Sequence, residues 1–386
     1  MAYQYFSLPC PITVGCGAIS VLGDEIKNRG LKKPLLVFDE GVKEAGIPDK
    51  VIRILDEAGL EHACFDGVHA DPSVDVVDAC AAKARAEGID CLIGVGGGSS
   101  MDTAKAASIL TSGFEGDARK YVLQFPIKVE TTTPVFLVPT TTGTGAECTA
   151  VAVISVPEKN VKWSVNVNTT LAVVDPELTV TLPPLYTATT GLDALAHATE
   201  GITANTSNLH ATYMGLGAVR KITDHLVECY NNPTDINART EMAIAADWGG
   251  LAFNNPLTHA SHAMGDAFGC HFHTPHGLSC SLGLADTMRL VAEVRKDDMR
   301  AIAEAMRIEL RGDETGKELG DLVAEKIFGM MHAMNMPSLK SLGYSREEVV
   351  ALAKDVTENH LSTHSPVPIT LEVAEKLLGD VYDNYQ

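Results

Sequence analysis

One short stretch restricts the architecture more than any other. Asp90-Cys91-Leu92-Ile93-Gly94-Val95 is apolar enough for a buried strand, and it runs directly into Gly96-Gly97-Gly98-Ser99-Ser100 and then into Met101-Asp102-Thr103-Ala104-Lys105, a good helix opening. Strand, glycines and helix in that order form a phosphate-binding layout. Glycines let the main chain approach an anion, and the free N–H groups and positive end of the helix dipole then hold its charge. The spacing is neither GxGxxG nor a P-loop, so by itself the loop also suits a tight structural turn. The flanking chain alternates in the same way: Leu35 to Phe38 and a helix from about Glu44, His62 to Phe65 and a helix from about Val74, Cys91 to Val95 and a helix from about Ser100. Such βαβ units predict a mostly parallel sheet.

At 386 residues the chain exceeds one hydrophobic core, so two packed units are expected. Between Thr131 and Asp175, threonine- and valine-rich segments broken by Gly143, Gly145 and Pro157 suit strands and hairpins and mark the end of the α/β unit. From Pro183-Pro184 onward the period is near 3.6, as in Glu241 to Phe253 and Asp298 to Met306. The reading is therefore an α/β domain over 1–182 and an all-helical domain over 183–386.

Fifty acidic residues against thirty basic ones give a net charge of −20, a field that repels phosphate backbones and anionic lipid headgroups. Nucleic-acid and membrane-surface roles are thereby disfavoured, and any bound phosphate has to be held by short-range backbone donors. The opening MAYQYFSLPCPI has no basic-then-apolar leader pattern, and no apolar run reaches the roughly 18 residues of a spanning helix, so a cytoplasmic protein is expected. The nine cysteines are scattered and include no CxxC pair. They read as reduced, mostly buried thiols, with neither a disulfide framework nor a cysteine metal site expected.

A second small-residue loop, Pro139 to Glu147, follows the strand-like Val135 to Val138. Its hydroxyls suit ribose, phosphate or amide groups, or simply a hydrogen-bonded turn. Asp193 and His197 stand at i and i+4, on one face of a helix, which suits two ligands of one metal. Five of the thirteen histidines, His259, His262, His271, His273 and His276, fall within eighteen residues. An aspartate with histidines suits a borderline cation such as Fe(II), Zn(II), Co(II) or Ni(II). Not all of these side chains can ligate one ion, and the residues alone leave the choice open.

Together these segments resemble the iron-containing (group III) alcohol dehydrogenase family. Gly96-Gly97-Gly98-Ser99 with Asp102 and Ala104-Lys105 is similar to its GGGSxxDxAK motif, and Pro139 to Glu147 to PTTxGTGSE. Gly191, Asp193, Ala194, His197 and Glu200 fit GxDAxxHxxE, and His262, Gly269 and Pro275-His276-Gly277 fit HxxxHxxGxxxxxPHG. The resemblance implies an N-terminal dinucleotide-binding domain and a helical metal-binding domain, the dehydroquinate-synthase-like architecture. It implies metal ligands Asp193, His197, His262 and His276, with Fe(II) first and Zn(II) or another divalent transition metal as alternatives. Pyrophosphate contact falls to Gly97, Gly98 and Ser99, and further cofactor contacts to Asp102, Thr140, Thr141, Thr144 and Lys162. His259, His271 and His273 are off the ligand positions. Asp39 ends the first strand where family members that use NAD carry an acid, which accepts from ribose hydroxyls and repels a 2′-phosphate. The signature's second histidine is replaced here by Asp266, the candidate for proton traffic.

The function so implied is hydride transfer between NAD(H) and a small primary or secondary alcohol or aldehyde whose oxygen a divalent metal polarises. The alternatives are a glycerol-dehydrogenase-like or dehydroquinate-synthase-like enzyme and, from another class, a non-catalytic metal-binding or filament-forming protein. A homodimer or larger assembly is expected, because Phe6 to Gly17 resembles the strand through which family members pair, and Pro9 and Pro11 confine it to an edge.

Overall fold

The computed structural model describes residues 4–122, 128–159 and 161–386. The strands are β1 (Ile12–Val14), β2 (Pro34–Asp39), β3 (Ala63–Val68), β4 (Cys91–Gly96), β5 (Val135–Pro139), β6 (Val151–Val156), β7 (Val161–Asn166) and β8 (Leu171–Val174). Six of them form one parallel sheet in the order β1-β8-β5-β4-β2-β3, and β6 and β7 pair separately as an antiparallel hairpin. The helices of this part are α1 (Leu22–Asn28), α2 (Glu40–Glu44), α3 (Ile47–Glu57), α4 (Val74–Glu87), α5 (Gly98–Thr111) and the single turn α6 (Arg119–Val122).

The central strands are continuous apolar runs because both their faces are covered. Leu35, Val37, Leu92, Val135 and Leu137 face a core shared with α4 and α5. The alternate residues Leu36, Phe38, Ile93, Phe136 and Val138 face a second core with α1 and α3. The chain runs outward from β2 to β3, returns to β4 beside β2, and continues to β5 on the other side. That reversal opens a crevice beyond the carboxyl ends of β2 and β4, the place where open α/β sheets bind ligands.

The helix expected from about Glu44 is two helices. Asp39 caps α2 by accepting from Val42 N–H at 3.0 Å, and Gly46 with φ of +68° breaks the chain before α3 starts. Of Phe6 to Gly17 only Ile12–Val14 is strand. It pairs with β8 of its own chain and occupies the sheet edge.

The chain divides between Leu182 and Pro183, with two exceptions: residues 1–7 and Thr142–Thr144 pack with the helical unit. Ten helices build that unit: α7 (Pro184–Thr203), α8 (Leu209–Asn231), α9 (Ile236–Phe253), α10 (Ala260–Phe272), α11 (His276–Val291), α12 (Lys296–Ala305), α13 (Gly316–Ala333), α14 (Arg346–Val350), α15 (Ala353–Glu358) and α16 (Leu371–Asn384). Helix α7 lies within the aliphatic core, so apolar and polar residues alike are buried along almost its whole length. No helix among the described residues is long and apolar enough to cross a membrane.

Candidate functional site

Two constellations stand out, one in each unit. In the α/β unit, Gly96 ends β4 with φ of +150°, and a Cβ there would meet Ser100 Oγ at 2.6 Å, so this turn into α5 excludes a side chain. Gly97 caps α5 in extended conformation without a side-chain hydrogen bond, and Gly98 and Ser99 form the first turn. The second loop lies alongside: Gly96 pairs with Pro139 across β4 and β5, and Thr140 N–H donates to Gly96 carbonyl at 2.9 Å. Thr141 approaches Gly97, and its buried hydroxyl has no hydrogen-bond partner. Thr144 follows, partly exposed. Asp39, at the end of β2, adjoins the glycine turn and accepts from Ser100 Oγ at 3.2 Å. Expected loop residues and strand-end acid are thus gathered at the crevice, where free helix N–H groups face an anion site.

Asp102 and Lys162 have protein partners. Asp102 accepts from Val153 N–H of the hairpin at 2.9 Å and lies 3.4 Å from the buried Lys105 ammonium. Lys105 in turn donates to the carbonyls of Val151 and Thr149. The aspartate and lysine of the glycine motif therefore clamp β6 to α5. Lys162, on β7, pairs with Asp71 at 2.6 Å.

In the helical unit the buried Asp193 of α7 is surrounded by imidazoles. From its Oδ1, His262 Nε2 on α10 is 3.7 Å away, His276 Nε2 on α11 is 3.9 Å and His197 Nε2 on α7 is 4.0 Å. Atoms each about 2 Å from one ion stand about 3–4 Å apart. Asp193 Oδ1 and His262 Nε2 are both buried without a hydrogen-bond partner, which is costly unless a cation completes them.

Neighbouring groups orient the rings. His197 Nδ1–H donates to the Gly143 carbonyl at 3.3 Å, leaving Nε2 as the donor atom toward Asp193. Burial holds its pKa down at about 4, so the ring is neutral at physiological pH and can ligate. His262 Nδ1 bonds the fully buried Glu200, whose other oxygen accepts from Ser261 N–H at 2.7 Å. A mixed carboxylate and imidazole set with ring tautomers fixed from behind fits a divalent transition metal.

The other histidines have different tasks. His259 bonds Thr203 Oγ1 at 2.9 Å and places Nδ1 3.3 Å from Glu200, so it supports the carboxylate that holds His262. His271 pairs with Asp355 on α15, and His273 caps α10 in left-handed conformation. Asp266 accepts from Asn359 Nδ2 at 3.0 Å.

One expectation is corrected. No cysteine was expected at a metal site, yet Cys280 belongs to the group Asp193, His262, His276 and Cys280, whose donor atoms all lie within 4.8 Å of one another. Counting cysteine pairs missed it. The readable signal was spacing: Cys280 follows His276 by one helical turn on α11 and shares its face. All nine cysteines are unpaired, as expected.

Comparison with known proteins decides the family. Residues 9–176 match the family described as iron-containing alcohol dehydrogenase, and residues 187–382 match the Fe-containing alcohol dehydrogenase family, C-terminal. The chain belongs to the iron-containing alcohol dehydrogenase family. Among curated relatives of this iron-containing alcohol dehydrogenase, lactaldehyde reductase of Escherichia coli (strain K12) is 32% identical, covering 93% of this chain and 94% of its own. Choline dehydrogenase of Bacillus subtilis (strain 168) is 31% identical, covering 94% and 91%. A solved sulfoacetaldehyde reductase from Bifidobacterium kashiwanohense, in complex with NAD+, aligns with a TM-score of 0.90 at 26% identity, covering 99% of this chain and 100% of its own. The chain is accordingly an oxidoreductase of alcohols and aldehydes in a family typically dependent on NAD and a metal.

Proposed function

We propose that the chain transfers hydride between NAD(H) and a small primary or secondary alcohol or aldehyde, with Asp193, His197, His262 and His276 as ligands of a divalent metal, Fe(II) first. The observation that carries this reading is the buried, unpartnered Asp193 Oδ1 facing three imidazole Nε2 atoms. A metal bound there supplies Lewis acidity toward the substrate oxygen. The protein supplies orientation. Gly97, Gly98 and Ser99 offer the α5 N-terminus to the pyrophosphate, Thr140, Thr141 and Thr144 offer hydroxyls, and Asp39 selects NAD(H) through the ribose. Asp102 and Lys162 act on the cofactor through the hairpin and strand end they hold.

Asp266 stands one helical turn beyond His262 on α10. With Asn359 on one oxygen, the carboxylate keeps lone pairs for proton transfer, and we assign it that role. Asp266→Asn should leave the metal bound and flatten one limb of the pH profile of kcat/KM; an unchanged profile at full metal occupancy removes Asp266 from catalysis.

The edge position of β1, with Leu8 and Val14 exposed, supports a homodimer, and sedimentation should then give twice the 41.0 kDa of one chain. Nine unpaired cysteines support a reducing, cytoplasmic location. The deciding experiment is a screen of small aldehydes with NADH and of alcohols with NAD, aerobic and anaerobic, after chelation and reloading with Fe(II), Zn(II) or Co(II). Turnover restored by a divalent metal is expected. No turnover with any metal or substrate would overturn the reading.

A further inference from the structure

The donor set around Asp193 contains one atom more than the family's ligand pattern uses. Cys280 Sγ lies 3.6 Å from His276 Nε2, inside the group it forms with Asp193 and His262. His197 is not a member of that mutually close group, although its Nε2 faces the same carboxylate. The thiol is fully buried, and its place is reserved by the neighbouring helix: a Cβ on Gly265 of α10 would fall 2.6 Å from Cys280 Sγ. The buried His262 Nε2 and Asp193 Oδ1 without partners show independently that something beyond the protein is wanted at this point.

Resting on the metal-centre reading above, we propose that Cys280 is a thiolate ligand of the metal in the resting enzyme, sharing Asp193, His262 and His276 with a second set completed by His197. Ligation exchanges the S–H bond for a sulfur–metal bond and releases the thiol proton. The ion thus has two alternative fourth donors, one sulfur and one nitrogen. The sulfur shifts the site's preference toward Zn(II), Co(II) and Fe(II) and away from hard cations.

The test is spectroscopic and uses the intact chain loaded with one equivalent of Co(II), or of Zn(II) for X-ray absorption. Wild type should show a near-ultraviolet thiolate-to-cobalt charge-transfer band and a sulfur scatterer at about 2.3 Å from zinc. Cys280→Ser should bind cobalt and lose the band. Cys229→Ser, altered at a buried thiol on α8, should keep it, and His197→Ala should keep both metal and band while losing turnover. Wild type that binds stoichiometric cobalt with only nitrogen and oxygen around it would overturn the thiolate assignment and leave the metal centre standing. A band that persists in Cys280→Ser would overturn it as well. Wild type that binds no cobalt would overturn the metal centre and the thiolate assignment together. Should Cys280→Ser not fold, the zinc absorption spectrum of wild type decides alone.

Discussion

The Asp39 carboxylate already accepts from Val42 N–H and the Ser100 hydroxyl, so two of its roughly four lone-pair sites are spent on the fold and the rest face the crevice. Asp39→Gly should therefore relax the preference for NAD(H) over NADP(H) and also cost a few tenths to 1 kcal/mol through the lost α2 cap. Cofactor kinetics and denaturation of the same variant separate the two effects; equal kcat/KM for both cofactors in wild type would refute the ribose assignment. Glu314 is a purely structural counterpart. Burial pushes its pKa up, but its own and neighbouring N–H groups, from Arg311 and Gly312, together with the Arg300 guanidinium 2.9 Å away, outweigh this and hold it at about 2. Because the folded value lies below the ordinary 4.5, the stabilisation is full above that pH and is lost as pH falls through about 2. Glu314→Gln should flatten the acid limb of a stability-versus-pH curve over that interval, and an unchanged limb would assign the acid sensitivity to other groups. Single residues also show how far a sequence can be read. Asp193 and His197 were visible because one helical turn separates them. Cys280 has the same relation to His276, and was passed over because cysteines were searched for as pairs. His259 looked like a bystander because its partner, Glu200, is distant in sequence.

Helix α7 carries Asp193 and His197 and, one turn further, Glu200, so one buried face holds two donors together with the carboxylate that orients a third from α10. Glu200→Gln should weaken metal binding by about 10–100-fold with the fold intact, since the amide no longer attracts the His262 imidazole as a charged acceptor. Metal content after dialysis at set free-metal concentrations measures it, with His273→Gly as the variant expected to retain full occupancy. Wild-type affinity in the Glu200 variant would show that His262 needs no such support. At this scale the parallel sheet, both loops and the helical second half were legible from periodicity and punctuation. The clamp was not. Nothing in the period of β6 or α5 tells that Asp102 and Lys105 reach the hairpin, because a tertiary hydrogen bond to a main-chain group leaves no repeat in the sequence.

For the molecule as a whole, the metal donors lie on three separate helices, α7, α10 and α11, in the core of the helical unit. Removing the ion leaves an uncompensated carboxylate among imidazoles where no water reaches Asp193 Oδ1. Chelation should lower Tm, and restoring metal at a hundred times its Kd should return about 2.7 kcal/mol of stability. Calorimetry across a metal titration tests this, and a Tm independent of metal would mean that the helices hold the donors in place unaided.

The same ion that serves the reaction is therefore a tie among three stretches of chain that meet late in synthesis, the last of them beginning at His276. A cell short of iron would lose this protein as well as its turnover, because the untied helices open more often and proteases act on what opens. Abundance of the chain in growing cells should then follow the metal supply, falling on starvation before any change in its synthesis.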